Sequence, residues 1–336
     1  MKALVCTTPR QFDYINTEMP VTAEGETLLK IERIGICGTD LHAFEGTQPY
    51  FNYPRILGHE LAATIIETKA VGFTAGDYVT IIPYMHCGNC TACNSGKNNC
   101  CVNMRVFGVH IDGGMREFVT VPNHALLKSE GLSLDELALV EPLAIGAHAV
   151  NRAAVTKGEF VLVIGAGPIG LGIAQFARIA GAHVIVVDVI DDRLQFCTTH
   201  VGVKHTINPL KQDVMEALKQ ITSNNMPTVV MDATGNLKAI NNAFAYLAHG
   251  GRYVLVGLQK EHISFSHPEF HKREATLMSS RNANVSDFEH VMDAIKNGLV
   301  QPANYITHKV TFSEVATQFE SWLNPNSKVI KAVVVF

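Results

Sequence analysis

Hydrophobic and polar positions follow two different rhythms along the chain. From residue 2 to 122, short β-branched runs such as 27–34 and 61–67 are separated by turn residues, among them Gly72, Gly76 and Asp77. That rhythm predicts an irregular, mostly antiparallel β domain. From Gly158 onward, strand-like runs at 160–164, 183–188, 226–232 and 252–256 alternate with helical ones at 169–180, 191–200 and 237–248. The alternation predicts a parallel sheet with helices on both faces. Residues 161–164 and 184–187 are apolar at every position, as strands covered on both sides must be. After Arg281 the pattern returns to a few helices and strands and ends in 329–336, a run suited to a closing strand. Since a tail this short cannot build a core of its own, it is expected to pack back on the first domain. The expected plan is 1–148 as a mostly β catalytic domain, 149–281 as a nucleotide-binding domain, and 282–336 returning to the first.

The apolar stretch 160–177 raises the question of a membrane span, but it holds four glycines, Pro168 and Gln175. A strand, a glycine turn and a helix explain it better. In that stretch Gly165-Ala166-Gly167-Pro168-Ile169-Gly170 follows a predicted strand and opens a predicted helix. Gly165 permits the tight turn, Gly167 lets the backbone approach a pyrophosphate, and Gly170 lets helix and strand lie close. The next strand ends in Asp188, at the distance where a carboxylate accepts bonds from both hydroxyls of an adenosine ribose. Val189 and Ile190 follow, so no adjacent cation awaits a 2′-phosphate, and NAD is favoured over NADP. Pro168, Ile169 and Gly257 complete the expected cofactor contacts. Arg193 either packs on the adenine or is an ordinary surface residue.

The chain has 336 residues, a formal net charge of −4, 17% charged residues and no basic run. A nucleic-acid partner is therefore not expected. The start is too short in apolar residues for a signal peptide, and a cytoplasmic location follows. There, eight cysteines should not form a disulfide framework. Four of them, Cys87-x2-Cys90-x2-Cys93-x7-Cys101, have the spacing of a closed structural zinc site, with Cys100 able to compete for the last place. A second group comprises Cys37, His59, Glu60 and Glu141. One thiolate, one imidazole and one carboxylate suit a zinc ion that keeps a fourth position open for a substrate oxygen. Both glutamates ligating at once would overcharge such a site, so Glu60 and Glu141 are expected to alternate.

Gly35-Ile36-Cys37-Gly38-Thr39-Asp40-Leu41-His42, Gly58-His59-Glu60, the four-cysteine loop, Glu141-Pro142 and the glycine fingerprint occur in one order along the whole chain. In that order they resemble the zinc-containing medium-chain dehydrogenases, on their polyol and sugar dehydrogenase branch. The resemblance implies an α/β protein with a GroES-like catalytic domain and a Rossmann domain, two zinc ions per chain, NAD, and a homodimer or homotetramer. It also implies reversible oxidation of a secondary alcohol to a ketone. Matching the family pattern, Thr39 would take the alcohol proton and His42 would pass it to solvent, although Thr39 could equally cap a helix starting near Asp40. Residues 108–114, 265–272 and 279–283 are further similar to sugar-acid dehydrogenases, including the starvation-sensing type. They imply a hexonate substrate, such as L-galactonate at its 5-hydroxyl. The substrate carboxylate would meet Arg281 first and His110 second, while Arg116 reads as a surface residue. L-Threonine and polyols or their phosphates are alternative substrates, and a non-catalytic nucleotide-binding protein is the alternative outside enzymes. A subunit seam is expected at a sheet edge near residues 262–266.

Overall fold

The computed structural model describes residues 1–49, 51–128 and 130–336. The chain divides into two compact units, Met1–Pro142 with Asn284–Phe336, and Leu143–Ala283.

In the first unit, Glu26–Gly35 is the central strand of a seven-stranded sheet. It pairs antiparallel with Glu60–Glu67, with Phe118–Pro122 and with the closing strand Lys331–Val335. Tyr78–Ile81 and Leu126–Leu127 extend one side and Ile306–Thr311 the other. The closing strand brings Val333 opposite Gly35, and Gly35 stands opposite Glu60. Residues distant in sequence thus meet at one end of the sheet. Leu29, Ile31, Ile34, Leu61, Val79 and Val334 lie on its fully buried side, in one core with Phe319 and Trp322 of the C-terminal segment. That packing is why the C-terminal residues do not form a domain of their own.

The second unit is a six-stranded parallel sheet in the order His205–Ile207, His183–Val187, Phe160–Ile164, Val229–Asp232, Arg252–Leu255, Thr276–Ser279. The order reverses between Phe160–Ile164 and Val229–Asp232, the switch point at which such sheets bind ligands. Strand His205–Ile207, too short at three residues to show a period, and helix Val214–Ile221 escaped the sequence pattern. Residues 262–266 form no strand. The sheet ends at His205–Ile207 on one side and at Thr276–Ser279 on the other, so a seam at 262–266 has no edge strand to rest on. No helix among the described residues is long and apolar enough to cross a membrane.

Candidate active site

The site in the first unit grows from a turn. Helix Gly38–Glu45 starts one residue after Cys37, which is its N-cap. The cap is therefore not Thr39, which lies inside the helix. Asp40 holds this start: Oδ2 accepts the Cys37 N–H at 2.9 Å and Oδ1 the Gly58 N–H at 3.1 Å. One buried carboxylate thus ties the Cys37 turn to the loop that carries His59.

Cys37, His59 and Glu60 each place a ligand atom within 4.8 Å of the others. His59 and Glu60 are buried and Cys37 is half-buried. The Nδ1 atom of His59 is buried without a hydrogen-bond partner and lies 3.7 Å from Asp40 Oδ1. Burial alone would depress the imidazole pKa, yet the neighbouring Asp40 and Cys37 hold it well above the ordinary value. A pocket that stabilises positive charge on a buried imidazole is equally suited to a bound dication. The donor set of sulfur, nitrogen and oxygen is that of zinc.

Lys331 is the residue that the sequence reading missed at this site. It is 2% exposed, donates to both oxygens of the fully buried Glu60 at 2.7 and 2.8 Å, and donates to the Ile36 carbonyl at 3.0 Å. Burial works against its charge, but Glu60 and Cys37 overcome it and raise its pKa. Glu60 therefore comes with its own counter-ion. Glu141 stands in the first turn of helix Val140–Arg152, outside the 4.8 Å set, and accepts a short hydrogen bond from the buried Tyr84 hydroxyl. Burial is the main cause that lifts its carboxyl pKa to about 7. Asp40 and Tyr84 also went unnoticed as site residues. The available signals were a lone Lys inside the apolar run 329–336 and the acid two residues after Gly38.

His42 lies on the same helix as Thr39, with its side chain 64% exposed, and its Nδ1 is 3.1 Å from Thr47 Oγ1. The Nδ1 of His110 accepts the Val106 N–H at 3.0 Å, so that atom is turned into its own loop. Arg116 is half-buried and donates from Nε to the Gly113 carbonyl, and burial lowers its pKa. It is not a simple surface residue.

In the four-cysteine loop, the ligand atoms of Cys87, Cys90, Cys93 and Cys101 all lie within 4.8 Å of one another. Cys100 is exposed and stands outside the set. The Cys87 N–H donates to Cys101 Sγ at 3.3 Å. Backbone N–H groups of Cys93 and Val102 pull Cys90 down to about 6, which favours the thiolate that a metal requires.

The glycine fingerprint lies in the second unit. Gly167 is the N-cap of helix Pro168–Ile179, and a Cβ there would meet nothing within 4 Å. The surface is open where a pyrophosphate would approach. By contrast, a Cβ on Gly170 would fall 1.8 Å from the Gly165 carbonyl oxygen. Asp188 is buried and accepts the N–H groups of Ala166 at 2.7 Å and Ile190 at 2.8 Å. Arg193 lies 4.0 Å from it. These residues fit a dinucleotide. Gly257 packs backbone to backbone on Gly235, while Arg281 is exposed two residues after strand Thr276–Ser279.

The model of the zinc-binding dehydrogenase family matches residues 168–297, and that of the alcohol dehydrogenase GroES-like domain matches 23–131. The L-galactonate-5-dehydrogenase of Escherichia coli K12 is 41% identical over 100% of this chain and 99% of its own. The 2-dehydro-3-deoxy-L-galactonate 5-dehydrogenase of Pseudoalteromonas atlantica is 29% identical over 97% and 96%. Among solved structures, an alcohol dehydrogenase (rspB) from E. coli CFT073, complexed with NADH, superposes with a TM-score of 0.93. It is 31% identical, covering 100% of this chain and 99% of that one.

Proposed function

This chain belongs to the zinc-binding alcohol dehydrogenase family, oxidoreductases that act on CH–OH groups, and from that premise we propose that it interconverts a secondary alcohol and a ketone on a sugar acid. The proposed substrate is L-galactonate at its 5-hydroxyl, or a similar hexonate. The observation that carries the reading is the buried Cys37–His59–Glu60 cluster with Asp40 behind its imidazole and Lys331 behind its carboxylate. A cluster kept in this state of charge is costly to bury. A non-catalytic nucleotide-binding protein has no use for it.

Cys37, His59 and Glu60 would hold the catalytic zinc, with Glu141 as the alternative carboxylate, and Cys87, Cys90, Cys93 and Cys101 the structural one. When bound, zinc supplies a Lewis acid that lowers the pKa of the substrate hydroxyl, and NAD supplies the hydride acceptor. With Nδ1 facing Asp40, His59 keeps Nε2 for the metal. Lys331 neutralises Glu60, so the carboxylate adds a ligand atom without adding net negative charge. Thr39 takes the substrate proton, and the exposed imidazole of His42 carries it to water. Gly165, Gly167, Pro168, Ile169, Gly170 and Gly257 form the bed for NAD, Asp188 takes its adenosine ribose, and Arg193 packs on its adenine. Arg281 receives the substrate carboxylate, with His110 second. An Arg–carboxylate contact is worth about 1.5–3 kcal/mol. Replacing Arg281 by Met should therefore weaken an aldonate far more than a neutral polyol, and equal losses would remove it from substrate recognition.

The proposed location is the cytoplasm, where cysteines spaced as metal ligands rather than as a disulfide framework are expected. Assembly as a homodimer or homotetramer is proposed, with the sheet edge at Thr276–Ser279 as its seam, and sedimentation tests the oligomeric state. The deciding experiment for the activity is NAD reduction by the zinc-loaded protein against aldonates, alditols, alditol phosphates and L-threonine. Turnover of hexonates at the secondary hydroxyl is expected. Activity confined to L-threonine would replace the substrate while leaving the chemistry in place.

A further inference from the structure

Asp232 ends strand Val229–Asp232 at the point where the sheet order reverses, opposite Ile164. It is fully buried, and its carboxylate accepts bonds from the turn that follows it. Oδ1 accepts the N–H groups of Thr234 at 3.1 Å and Gly235 at 3.0 Å, and Oδ2 accepts the Thr234 hydroxyl at 2.7 Å. That hydroxyl oxygen in turn accepts the N–H of Asn236 at 2.9 Å, and Asn236 caps helix Leu237–Ala243. The main-chain carbonyl of Asp232 accepts the N–H groups of Val256 and Gly257, each at 2.9 Å.

The turn shaped in this way is wedged between two glycine loops. A Cβ on Gly165 would lie 2.7 Å from Thr234 Cγ2, a Cβ on Gly257 would lie 2.2 Å from the Gly235 nitrogen, and a Cβ on Gly235 would lie 2.4 Å from the Leu258 carbonyl oxygen. Gly235 itself has φ +61°. Such close backbone packing leaves no slack, so the position of the turn follows the carboxylate that holds it.

We infer that Asp232 is the positioning residue for the nicotinamide-side wall of the dinucleotide crevice, formed by Thr234–Gly235 and Gly257–Leu258. The inference rests on the dinucleotide reading. Ligands of these sheets lie outside the carboxyl ends of the strands, across the switch point. Asp188 directly follows strand His183–Val187 on one side of that point and Gly167 sits at it, which places the adenosine and the pyrophosphate in that reading. The remaining half of the ligand must then cross to the other side, where strands Val229–Asp232 and Arg252–Leu255 end. The Asp232 side chain is covered by its own turn and acts only through it.

The test is direct binding of NADH, by fluorescence, and of AMP, by calorimetry, to the full-length zinc-loaded protein and to Asp232→Ala, Asp232→Asn and Thr234→Val. AMP carries only the adenosine half, so it measures the rest of the crevice. For Asp232→Ala, NADH affinity should fall at least tenfold and AMP affinity less than twofold. Asp232→Asn keeps one oxygen for the two N–H groups and should retain NADH binding within about threefold. Thr234→Val, which spares the carboxylate, should lose NADH affinity at least threefold with AMP unchanged, and it serves if Asp232→Ala does not fold. Equal losses of NADH and AMP, or no loss of NADH, would overturn the inference. Wild-type protein that binds neither ligand would overturn the dinucleotide reading and the inference with it.

Discussion

Lys331 is the counter-ion of Glu60 in the candidate zinc site. Removing one partner of a buried ion pair leaves the other charge without compensation, which costs about 3–5 kcal/mol. Lys331→Met should lower the unfolding free energy by that amount in urea titrations, and Lys331→Arg, which keeps the charge, should lose less. At Asp40 the expected loss is in metal binding. Asp40→Asn should weaken zinc affinity by about 10–100-fold, as changes to the group behind a ligating imidazole do, read by competition with a chromophoric chelator. Thr39→Val should keep zinc and NAD affinity but lower turnover at least about tenfold, and unchanged turnover would remove Thr39 from the relay. Cys37, His59 and Glu60 were legible in the sequence because their types and neighbours are those of a metal site. Lys331 and Tyr84 were not, because each lies far along the chain from the carboxylate it meets, and only strand pairing and burial bring them there.

Among elements, three of the six parallel strands of the second unit are tied together at their starts by one carboxylate. Glu159, just before strand Phe160–Ile164, accepts from Arg252 Nη2 at 2.7 and 2.9 Å, from Thr228 Oγ1 at 2.8 Å and from the Thr156 N–H at 2.8 Å. Partial burial works against its charge, but the Thr156 and Arg252 bonds prevail and hold its pKa below the ordinary 4.5. A depressed carboxylate stabilises the fold above its unfolded pKa, and that stability is lost as pH falls through the folded value. Glu159→Gln should therefore cost about 1.5–3 kcal/mol at neutral pH. The difference from wild type in urea unfolding should shrink below about pH 4.5, and a gap that is constant with pH would dismiss the charge as its cause. The pattern of apolar runs located these strands. It missed His205–Ile207, while the helical run expected at 191–200 is helix Asp191–Phe196 continued by the π-helical turn Cys197–Val201.

For the whole molecule, the division into two units has a consequence for metal removal. The four-cysteine loop has no core of its own: Cys101 and Asn99 are buried, and its other residues are half-buried or exposed. With zinc as the proposed source of its order, a strong chelator should lower Tm and make residues 87–101 the first site of proteolysis, while the parallel sheet of the second unit persists. Cleavage beginning elsewhere would show that the loop is held by other means. The sequence by itself determined the class of fold, the glycine crevice and the donor types of both metal sites, because these depend on local spacing and on residue chemistry. Tertiary structure alone decided that Cys101 and not Cys100 joins the cysteine set, that Glu60 and not Glu141 stands with Cys37 and His59, and that Lys331 sets the charge there. It also placed the sheet edges at His205–Ile207 and Thr276–Ser279. The last two depend on which strands lie side by side, and pairing of that range is settled by burial of the whole core, which no local pattern records.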